Sequence, residues 1–358
     1  MTWLLWACVA GLLAGFWLLP RVPVCPEAKL SRFEAPSVSV VIPARNEEHT
    51  LPHLLQSLSR MAMGPQEILV VDDESTDHTE DAAVERGALV LKTRPLPAGW
   101  RGKNWACHQG ANAAKGDSLL FLDADTWFEP GGYERVLTLF AEEDPRRTAV
   151  SLLPYHKVER LYEELSVYFN LLMAMGTGGF ALLQRARLFG QSLLIRRDVY
   201  ESCGGHAAVQ GEVLENFTLA AALRRAEIRR CCRGGRDVLS MRMYPEGFRQ
   251  LCEGWAKGFA KGAAATSPVV LALSVVWLGS AALAFALLLL PGVNCLIAAA
   301  LYCAFAIQLL YLSRQVGTYS ALTSALYPIP LLFYFGLFGW ALVKKALGRK
   351  ATWRGREL

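Results

Sequence analysis

The chain has 358 residues, of which 53 % are apolar and 19 % are charged, and its formal net charge is +5. This composition is apolar for a soluble protein but too polar for a pure membrane bundle, and the length allows one large domain with additions or two domains. The modest positive charge comes without a stripe of basic and aromatic residues, which argues against nucleic acid and for an anionic membrane surface as partner. The nine cysteines contain no Cys-x-x-Cys pair, so we expect neither a zinc site nor a disulfide framework.

The first predicted element is a membrane anchor over residues 1–20. Residues 3–19 carry no charge, and Arg21, Lys29 and Arg32 follow them. No basic residue precedes this stretch, so it is not typical of a cleaved signal peptide. The basic residues behind it predict that its carboxyl end lies in the cytoplasm.

Residues 36–262 are predicted to form a cytoplasmic α/β domain. Strand-like runs alternate with helix-like segments, and the first four runs are 37–43, 67–73, 87–93 and 117–123. This alternation predicts a Rossmann-like, mostly parallel sheet with helices on its faces. Further along, residues 157–176 predict an unusually apolar helix with two interpretations. It is either a buried core helix or a helix at the membrane interface that lines an entry for an apolar substrate.

The chain becomes hydrophobic again after Trp255, and we predict a membrane region over 268–343. Charge-free stretches predict spans at 268–290 and 293–313, whereas the segment 319–343 is interrupted by Pro328 and Pro330. The tail at 344–358 carries six basic residues, which favour a cytoplasmic end. A third crossing would contradict that location, so we expect 319–343 to be re-entrant or interfacial. The whole pattern predicts a multi-pass protein of the cell membrane.

Two acidic pairs follow apolar strands of the predicted sheet that we expect to be neighbours. Asp123 and Asp125 come after the run "LLFL", and Asp72 and Asp73 end the run "ILVV". Either pair alone is explained as a turn, but two pairs at one edge of a sheet repel each other unless a cation or a ligand offsets their charge. Carboxylate oxygens with phosphates favour Mg²⁺ or Mn²⁺, so the sequence predicts a divalent cation with Asp125 as its ligand.

These motifs resemble family 2 glycosyltransferases of the GT-A fold, in order and in spacing. The stretch "VVIPARNEE" matches the loop that receives the nucleotide, which implies roles for Pro43, Arg45 and Glu47 in binding the nucleotide-sugar. "DDESTD" matches the segment that contacts base and ribose. "GKNWACHQGANAAKGDSLLFLDADT" matches the part that contacts sugar, diphosphate and metal. By this resemblance the donor site also contains the following residues: Asp72, Asp73, Lys103, Asp123 and, as the metal ligand, Asp125.

Two further motifs of that family appear in altered form. "ENFTLAAAL" places Glu215 at the glutamate of an E-D-x-x-L motif near the acceptor, with Asn216 where an aspartate is usual. An amide accepts no proton at neutral pH, so Glu215 is the candidate catalytic carboxylate. "FRQLCEGWAKG" keeps Gln250 and Trp255 of a Q-x-x-R-W element that caps the nucleotide-sugar, with one residue more between them and Lys257 after the tryptophan. Trp255 is alternatively an anchor at the membrane interface.

Within the family, the chain most resembles bacterial enzymes of staphyloxanthin-type carotenoid pathways. The stretches "RLYEELSVYFNLL", "RMYPEGFRQLCEGW" and "LYLSRQVGTYSAL" carry this resemblance. It implies transfer of glucose from UDP-glucose to the carboxylate of a C30 carotenoid acid, with inversion and without a covalent enzyme intermediate. A carboxylate acceptor is already ionised near pH 7 and needs no base, which is our hypothesis for Asn216.

Several alternatives remain open. Another lipid, such as a hopanoid, diacylglycerol or polyprenyl phosphate, is a possible acceptor, and a non-catalytic scaffold that binds nucleotide-sugars is possible too. The membrane part is small for a processive polysaccharide synthase. His156 and His206 are more often structural than catalytic in such positions.

Overall fold

The computed structural model describes residues 2–30, 35–181, 188–212 and 215–346, with the backbone of 352–353 and 356–357. The side chains of 257–265 and from 345 onward are outside the described residues, which leaves out Lys257 and, except for Lys344, the predicted basic tail. The α-helices are α1 Thr2–Leu18, α2 Leu51–Ser59, α3 Thr79–Val84, α4 Gly102–Ala113, α5 Gly132–Glu142, α6 Val167–Gly176, α7 Arg197–Ser202, α8 Glu215–Arg225, α9 Phe248–Ala265, α10 Pro268–Leu289, α11 Cys295–Val316, α12 Ala321–Ala325 and α13 Pro328–Ala346. The strands are β1 Val38–Ala44, β2 Glu67–Asp72, β3 Leu89–Lys92, β4 Ser118–Leu122, β5 Thr126–Phe128, β6 Thr148–Leu153, β7 Tyr155–His156, β8 Ser192–Arg196, β9 Arg229–Gly234, β10 Leu239–Met241, β11 Thr352–Trp353 and β12 Arg356–Glu357. Two 3-10 helices span Leu161–Ser166 and Gly205–Val209.

The chain divides into two compact units. The sheet unit contains Pro23–Tyr155 and Ala186–Arg242, and the helical unit contains Met1–Val22, His156–Arg185 and Met243–Leu358. The sheet unit contains a seven-stranded sheet in the order β3-β2-β1-β4-β8-β6-β9. Strand β8 is antiparallel to β4 and β6, and the other pairings are parallel. The predicted α/β class with a mostly parallel sheet is therefore confirmed.

The continuous apolar run of β4 is explained by cores on both faces of the sheet. Leu119 and Phe121 belong to one buried cluster, and Leu120 and Leu122 belong to the other. Successive side chains of a strand point to opposite faces, so a strand covered on both sides needs apolar residues at every position. Each such side chain contributes about 1.5–3 kcal/mol through burial.

The two acidic pairs lie at the same edge of the sheet but not on neighbouring strands. Both β2 and β4 pair in parallel with β1, so β1 lies between them. The expectation of neighbouring strands was wrong, because the chain crosses back over β1 after β3. Two inter-strand spacings separate the pairs by roughly 10 Å. Acidic residues at that separation suit two parts of one extended ligand better than a single ion.

Within its described residues, the helical unit contains two helices, α10 and α11, that are long and apolar enough to cross a membrane. They coincide with the predicted spans, whereas α1 and α13 are shorter apolar helices. Pro328 and Pro330 occupy the first turn of α13 and do not interrupt it, because proline fits where no intrahelical N–H bond is needed. Which helices span the membrane stays a prediction.

The segment 157–176 forms the 3-10 helix followed by α6, where one continuous helix was predicted. Phe169 stacks on Trp255 with ring centroids 4.9 Å apart, and Tyr168 contacts Trp277 at 5.6 Å. These contacts within the helical unit favour the interpretation of α6 as a core helix.

Candidate active site

A pocket in the sheet unit brings four predicted residues together: Pro43, Lys103, Asp123 and Glu215. They come from the end of β1, the first turn of α4, the turn after β4 and the first residue of α8. Apolar side chains line the rest of the pocket, and they include Phe121, Leu188, Phe189, Leu193 and Leu219. The pocket therefore combines a small charged cluster with an apolar wall.

Lys103 lies at the centre of that cluster. Its Nζ is 2.7 Å from Asp123 Oδ1 and 3.4 Å from Glu215 Oε1, and it donates a hydrogen bond of 3.0 Å to the Gly190 carbonyl. Burial by itself lowers the pKa of a lysine, but the carboxylates of Asp123 and Glu215 outweigh it and raise the pKa of Lys103. Lys103 is therefore a permanent cation and not a proton donor or acceptor near pH 7.

Two other titratable groups of the pocket are neutral at physiological pH. Burial, helped by the nearby Lys103 charge, lowers the pKa of His206 to about 3, and Tyr200 Oη lies 2.8 Å from its Nδ1. Burial raises the pKa of the Cys107 thiol, so the reactive thiolate does not form near pH 7. The pocket thus offers no activated cysteine for a covalent intermediate.

Four more residues that were predicted to bind the nucleotide-sugar lie at the end of β2 and on the loops that follow β1 and β2. Arg45 Nη1 donates to the Asp73 carbonyl at 2.7 Å and lies 3.7 Å from Asp73 Oδ2. Asp72 is buried, and its Oδ1 accepts a hydrogen bond from the Ser75 amide. Glu47 donates its amide to Thr79 Oγ1 at 2.8 Å. The two loops are therefore held together across about 30 residues of sequence.

Asp77, the last aspartate of "DDESTD", fastens the same two loops. Its Oδ2 accepts from the Glu48 amide at 3.2 Å, and its Oδ1 accepts from the amide and hydroxyl of Thr79. Burial opposes ionisation, but these hydrogen bonds outweigh it and lower the pKa of Asp77. Asp77 therefore fixes the shape of the loop after β2 through these bonds.

The carboxylates of the site fit a cation that is shared with a phosphorylated ligand. Among the described residues, no three His, Cys, Asp or Glu side chains gather closely enough to hold a metal alone. Asp123 pairs with Lys103, while Asp125 occupies the turn between β4 and β5. Mg²⁺ and Mn²⁺ in nucleotide sites use one or two carboxylates and take further oxygens from phosphates, so Asp125 suits such a role.

Asn216 has a defined local partner. Its Nδ2 donates to the Leu188 carbonyl at 2.6 Å, and Gly190 lies over Glu215 and Asn216. This hydrogen bond explains why an asparagine occupies the position, because an aspartate has no proton to donate to the carbonyl at neutral pH.

The remaining two predicted residues belong to the helical unit. Trp255 is buried, donates from its Nε1 to Ser166 Oγ at 3.0 Å and stacks on Phe169. Gln250 accepts the Glu246 amide at 3.1 Å. These contacts describe packing and a turn, and the roles of both residues in binding a nucleotide-sugar stay predictions.

Sequence reasoning missed three contributors to the pocket. Gly190 contributes only a carbonyl, which carries no side-chain signal. Leu188 contributes its carbonyl to Asn216 and its apolar side chain to the wall of the pocket. Asn104 is buried and donates to the carbonyls of Val209 and Glu212, which fixes the chain before α8 against α4. The one signal in the sequence was the position of Asn104 directly after Lys103.

Comparisons with known proteins agree with this architecture. Residues 39–209 match the family model described as glycosyl transferase family 2. The 4,4'-diaponeurosporenoate glycosyltransferase of Staphylococcus aureus strain USA300 is 31 % identical over 341 residues, which cover 92 % of this chain and 90 % of that protein. The protein of the same name from strain N315 gives the same identity and coverage.

A solved structure is similar over nearly the whole length. It is the mannosyltransferase PcManGT from Pyrobaculum calidifontis in complex with GDP-Man and Mn²⁺, with a TM-score of 0.53 and 19 % identity. The match covers 97 % of this chain and 98 % of that chain. At this identity the likeness concerns the fold.

Proposed function

Because the chain belongs to glycosyltransferase family 2, we propose that it transfers a hexose, glucose in the first instance, from a UDP-sugar to a carotenoid acid. The acceptor group is the carboxylate of a C30 apocarotenoid acid, and the product is a glycosyl ester. One observation carries this proposal: the similarity to the 4,4'-diaponeurosporenoate glycosyltransferase extends over 92 % of the chain, and therefore includes most of the apolar helices as well as most of the sheet unit. The apolar wall of the pocket beside Lys103 supports the acceptor class.

The donor is assigned to the carboxyl edge of the sheet, where open α/β sheets bind their ligands. Asp72 and Asp73, with Arg45 across from them, face the base and ribose, and the loop at Pro43 and Glu47 closes around the nucleotide. Asp123 faces the sugar. Gln250 and Trp255 are assigned to the donor by family resemblance alone.

Asp125 is the proposed ligand of Mg²⁺ or Mn²⁺ on the diphosphate. When bound, such an ion offsets the charge that develops on the leaving UDP. The roughly 10 Å between the two acidic pairs matches different roles, with one pair at the nucleoside and the other at the sugar and diphosphate.

The reaction requires no enzyme base when the acceptor is a carboxylate. A carboxylate oxygen attacks the anomeric carbon, the bond from that carbon to the diphosphate oxygen breaks, and UDP leaves with the bonding electrons. The configuration is inverted, and no proton is transferred. Because a carboxylic acid ordinarily has a pKa of about 4, the acceptor is ionised near pH 7. Asn216 in place of an acid then removes a like charge from its approach.

The chain is proposed to act at the cytoplasmic face of the bacterial cell membrane. The helices α10 and α11 are its candidate spans, α1 is its amino-terminal anchor, and 319–343 lies at or within the membrane. This location brings a water-soluble UDP-sugar to an acceptor dissolved in lipid.

Mass spectrometry of lipid extracts tests the proposal. Cells that make the C30 acid express the wild-type chain or Asp125→Ala, and a hexosyl ester is expected only with the wild type. Asp117→Asn, at the exposed opposite end of β4, is the matched control and is expected to retain activity. A hexosylated hopanoid, diacylglycerol or polyprenyl phosphate would replace the proposed acceptor. If the chain binds UDP-sugar tightly but releases no UDP with any acceptor, it is a non-catalytic scaffold and the proposal is wrong.

A further inference from the structure

The Lys103 ammonium has a full set of partners before any ligand arrives. An ammonium has three N–H donors, and three acceptors surround this one: Asp123 at 2.7 Å, the Gly190 carbonyl at 3.0 Å and Glu215 at 3.4 Å. An anion that binds to Lys103 has to replace one of them.

Glu215 is the partner that can give way. It makes the longest of the three contacts, and its side chain reaches the ammonium from the first residue of α8. The carbonyl of Gly190 is fixed by its backbone. Asp123 is held in its turn, where its own carbonyl accepts from the amide and hydroxyl of Thr126 and its amide donates to Gln191.

The surroundings select an apolar carboxylic acid as the replacing anion. Of the described lining residues, the charged ones are Lys103, Asp123 and Glu215, whose sum is −1, and His206 is neutral. A further carboxylate raises this to −2 if Glu215 stays, but exchange for Glu215 keeps it at −1. The leucine and phenylalanine side chains that line the pocket are buried and offer little to a diphosphate.

We propose that Glu215 is an internal stand-in for the acceptor carboxylate, which displaces it from Lys103 during binding. This inference rests on the proposed function and assigns Lys103 to the acceptor, whereas family resemblance alone left it to the sugar or phosphate. It makes Glu215 a residue that tunes acceptor affinity. Neutralising a general base lowers activity and does not strengthen acceptor binding. Neutralising Glu215 in the proposed role strengthens acceptor binding.

The test measures binding of the C30 acid and of its methyl ester to the full-length chain in nanodiscs. The polyene absorption band reports binding, and both ligands share the same polyene. We expect Glu215→Gln to bind the acid about five- to tenfold more tightly and Lys103→Met to bind it about five- to tenfold less tightly, as for one partly screened ion pair. The affinity for the ester is expected to stay the same. Lys103→Arg keeps the charge if the methionine variant does not fold, and Glu201→Gln, at an exposed position of α7, is the matched control.

Two parallel measurements separate the possible failures. Calorimetry with UDP-glucose reports the donor: if Lys103→Met weakens UDP-glucose and leaves the acid unchanged, Lys103 serves the diphosphate and the inference is overturned. An unchanged or weaker affinity of Glu215→Gln for the acid overturns it too, even while wild-type enzyme forms the ester. If the wild type binds no carotenoid acid, the proposed function fails first. Binding of palmitate and of hexadecanol is then measured instead. Tighter binding of palmitate by Glu215→Gln than by the wild type supports the inference, and unchanged or weaker binding overturns it.

Discussion

The amide of Asn216 donates to the Leu188 carbonyl at 2.6 Å, beside the pocket that holds Lys103. This bond joins the first turn of α8 to the segment that leads into β8. An aspartate at this position directs a carboxylate oxygen at a carbonyl oxygen, and the two repel each other. The departure from the usual acidic motif is therefore built into the local structure.

We predict that Asn216→Asp lowers kcat/KM for a carboxylate acceptor by about tenfold, equivalent to about 1.4 kcal/mol. The variant loses a hydrogen bond and adds a negative charge on the path of an anionic acceptor. Steady-state kinetics with the C30 acid measure the effect, and Asn112→Asp on the exposed side of α4 controls for added charge. A faster Asn216→Asp enzyme would show that the position supplies a base.

The role of Asp125 predicts a strict dependence on divalent metal. Chelation with EDTA is expected to abolish UDP release, and added Mg²⁺ or Mn²⁺ is expected to restore it. We expect Asp125→Asn to lower kcat at least a hundredfold, on the order of the loss of one preorganised electrostatic contact to the leaving group. Asp117→Asn should respond to metal like the wild type. Full activity of Asp125→Asn at ordinary Mn²⁺ concentrations would remove Asp125 from the metal site.

The lowered pKa of His206 predicts that the free energy of unfolding decreases as the pH falls. In the folded chain its pKa is about 3, whereas an unfolded histidine has a pKa near 6.5, so between these values the unfolded state binds more protons. The stabilisation is complete above about pH 6.5 and is lost as the pH falls toward 3. Between pH 7 and 5 the loss is roughly 2 kcal/mol.

His206→Asn removes this titrating group and keeps a polar atom near Tyr200. Thermal unfolding in detergent at pH 7 and pH 5 should show a smaller pH-dependent fall of Tm for this variant than for the wild type. His49→Asn, at an exposed histidine, should leave the dependence unchanged. An identical pH dependence in wild type and His206→Asn would mean that the histidine is protonated in the folded protein.

The strands and the aspartates at their carboxyl ends were predictable because both depend on local sequence patterns. The apolar runs of β1, β2 and β4 are each continuous in sequence, and the aspartates directly follow the runs of β2 and β4. The position of β1 between β2 and β4 was not predictable in this way, since it depends on the direction of a crossover. The pairing of Lys103 with both Asp123 and Glu215 joins residues far apart in the chain, and its third partner is a backbone carbonyl. No spacing in the sequence records such contacts.

Close packing of α1 against α10 leads to a prediction for the helical unit. Gly11 faces Ser280, and an added Cβ at Gly11 overlaps the Cβ and Oγ of Ser280. Ser280 also donates from its Oγ to the Ala7 carbonyl at 2.8 Å. Small residues at such contacts let two helices approach closely, as in membrane helix pairs. The Ser280 Cβ cannot rotate away, because it is fixed to the backbone of α10.

We therefore expect Gly11→Ala to destabilise the protein by about 1–3 kcal/mol through overpacking, although alanine is the better helix former. Gly279→Ala is the matched control, since Gly279 is the neighbouring residue on α10 and an added Cβ there meets nothing within 4 Å. Thermal unfolding of the full-length chain in detergent, followed by tryptophan fluorescence, compares both variants with the wild type. A lower Tm for Gly11→Ala with an unchanged or higher Tm for Gly279→Ala supports the contact. Equal melting of all three proteins would mean that α1 does not pack on α10 through Gly11.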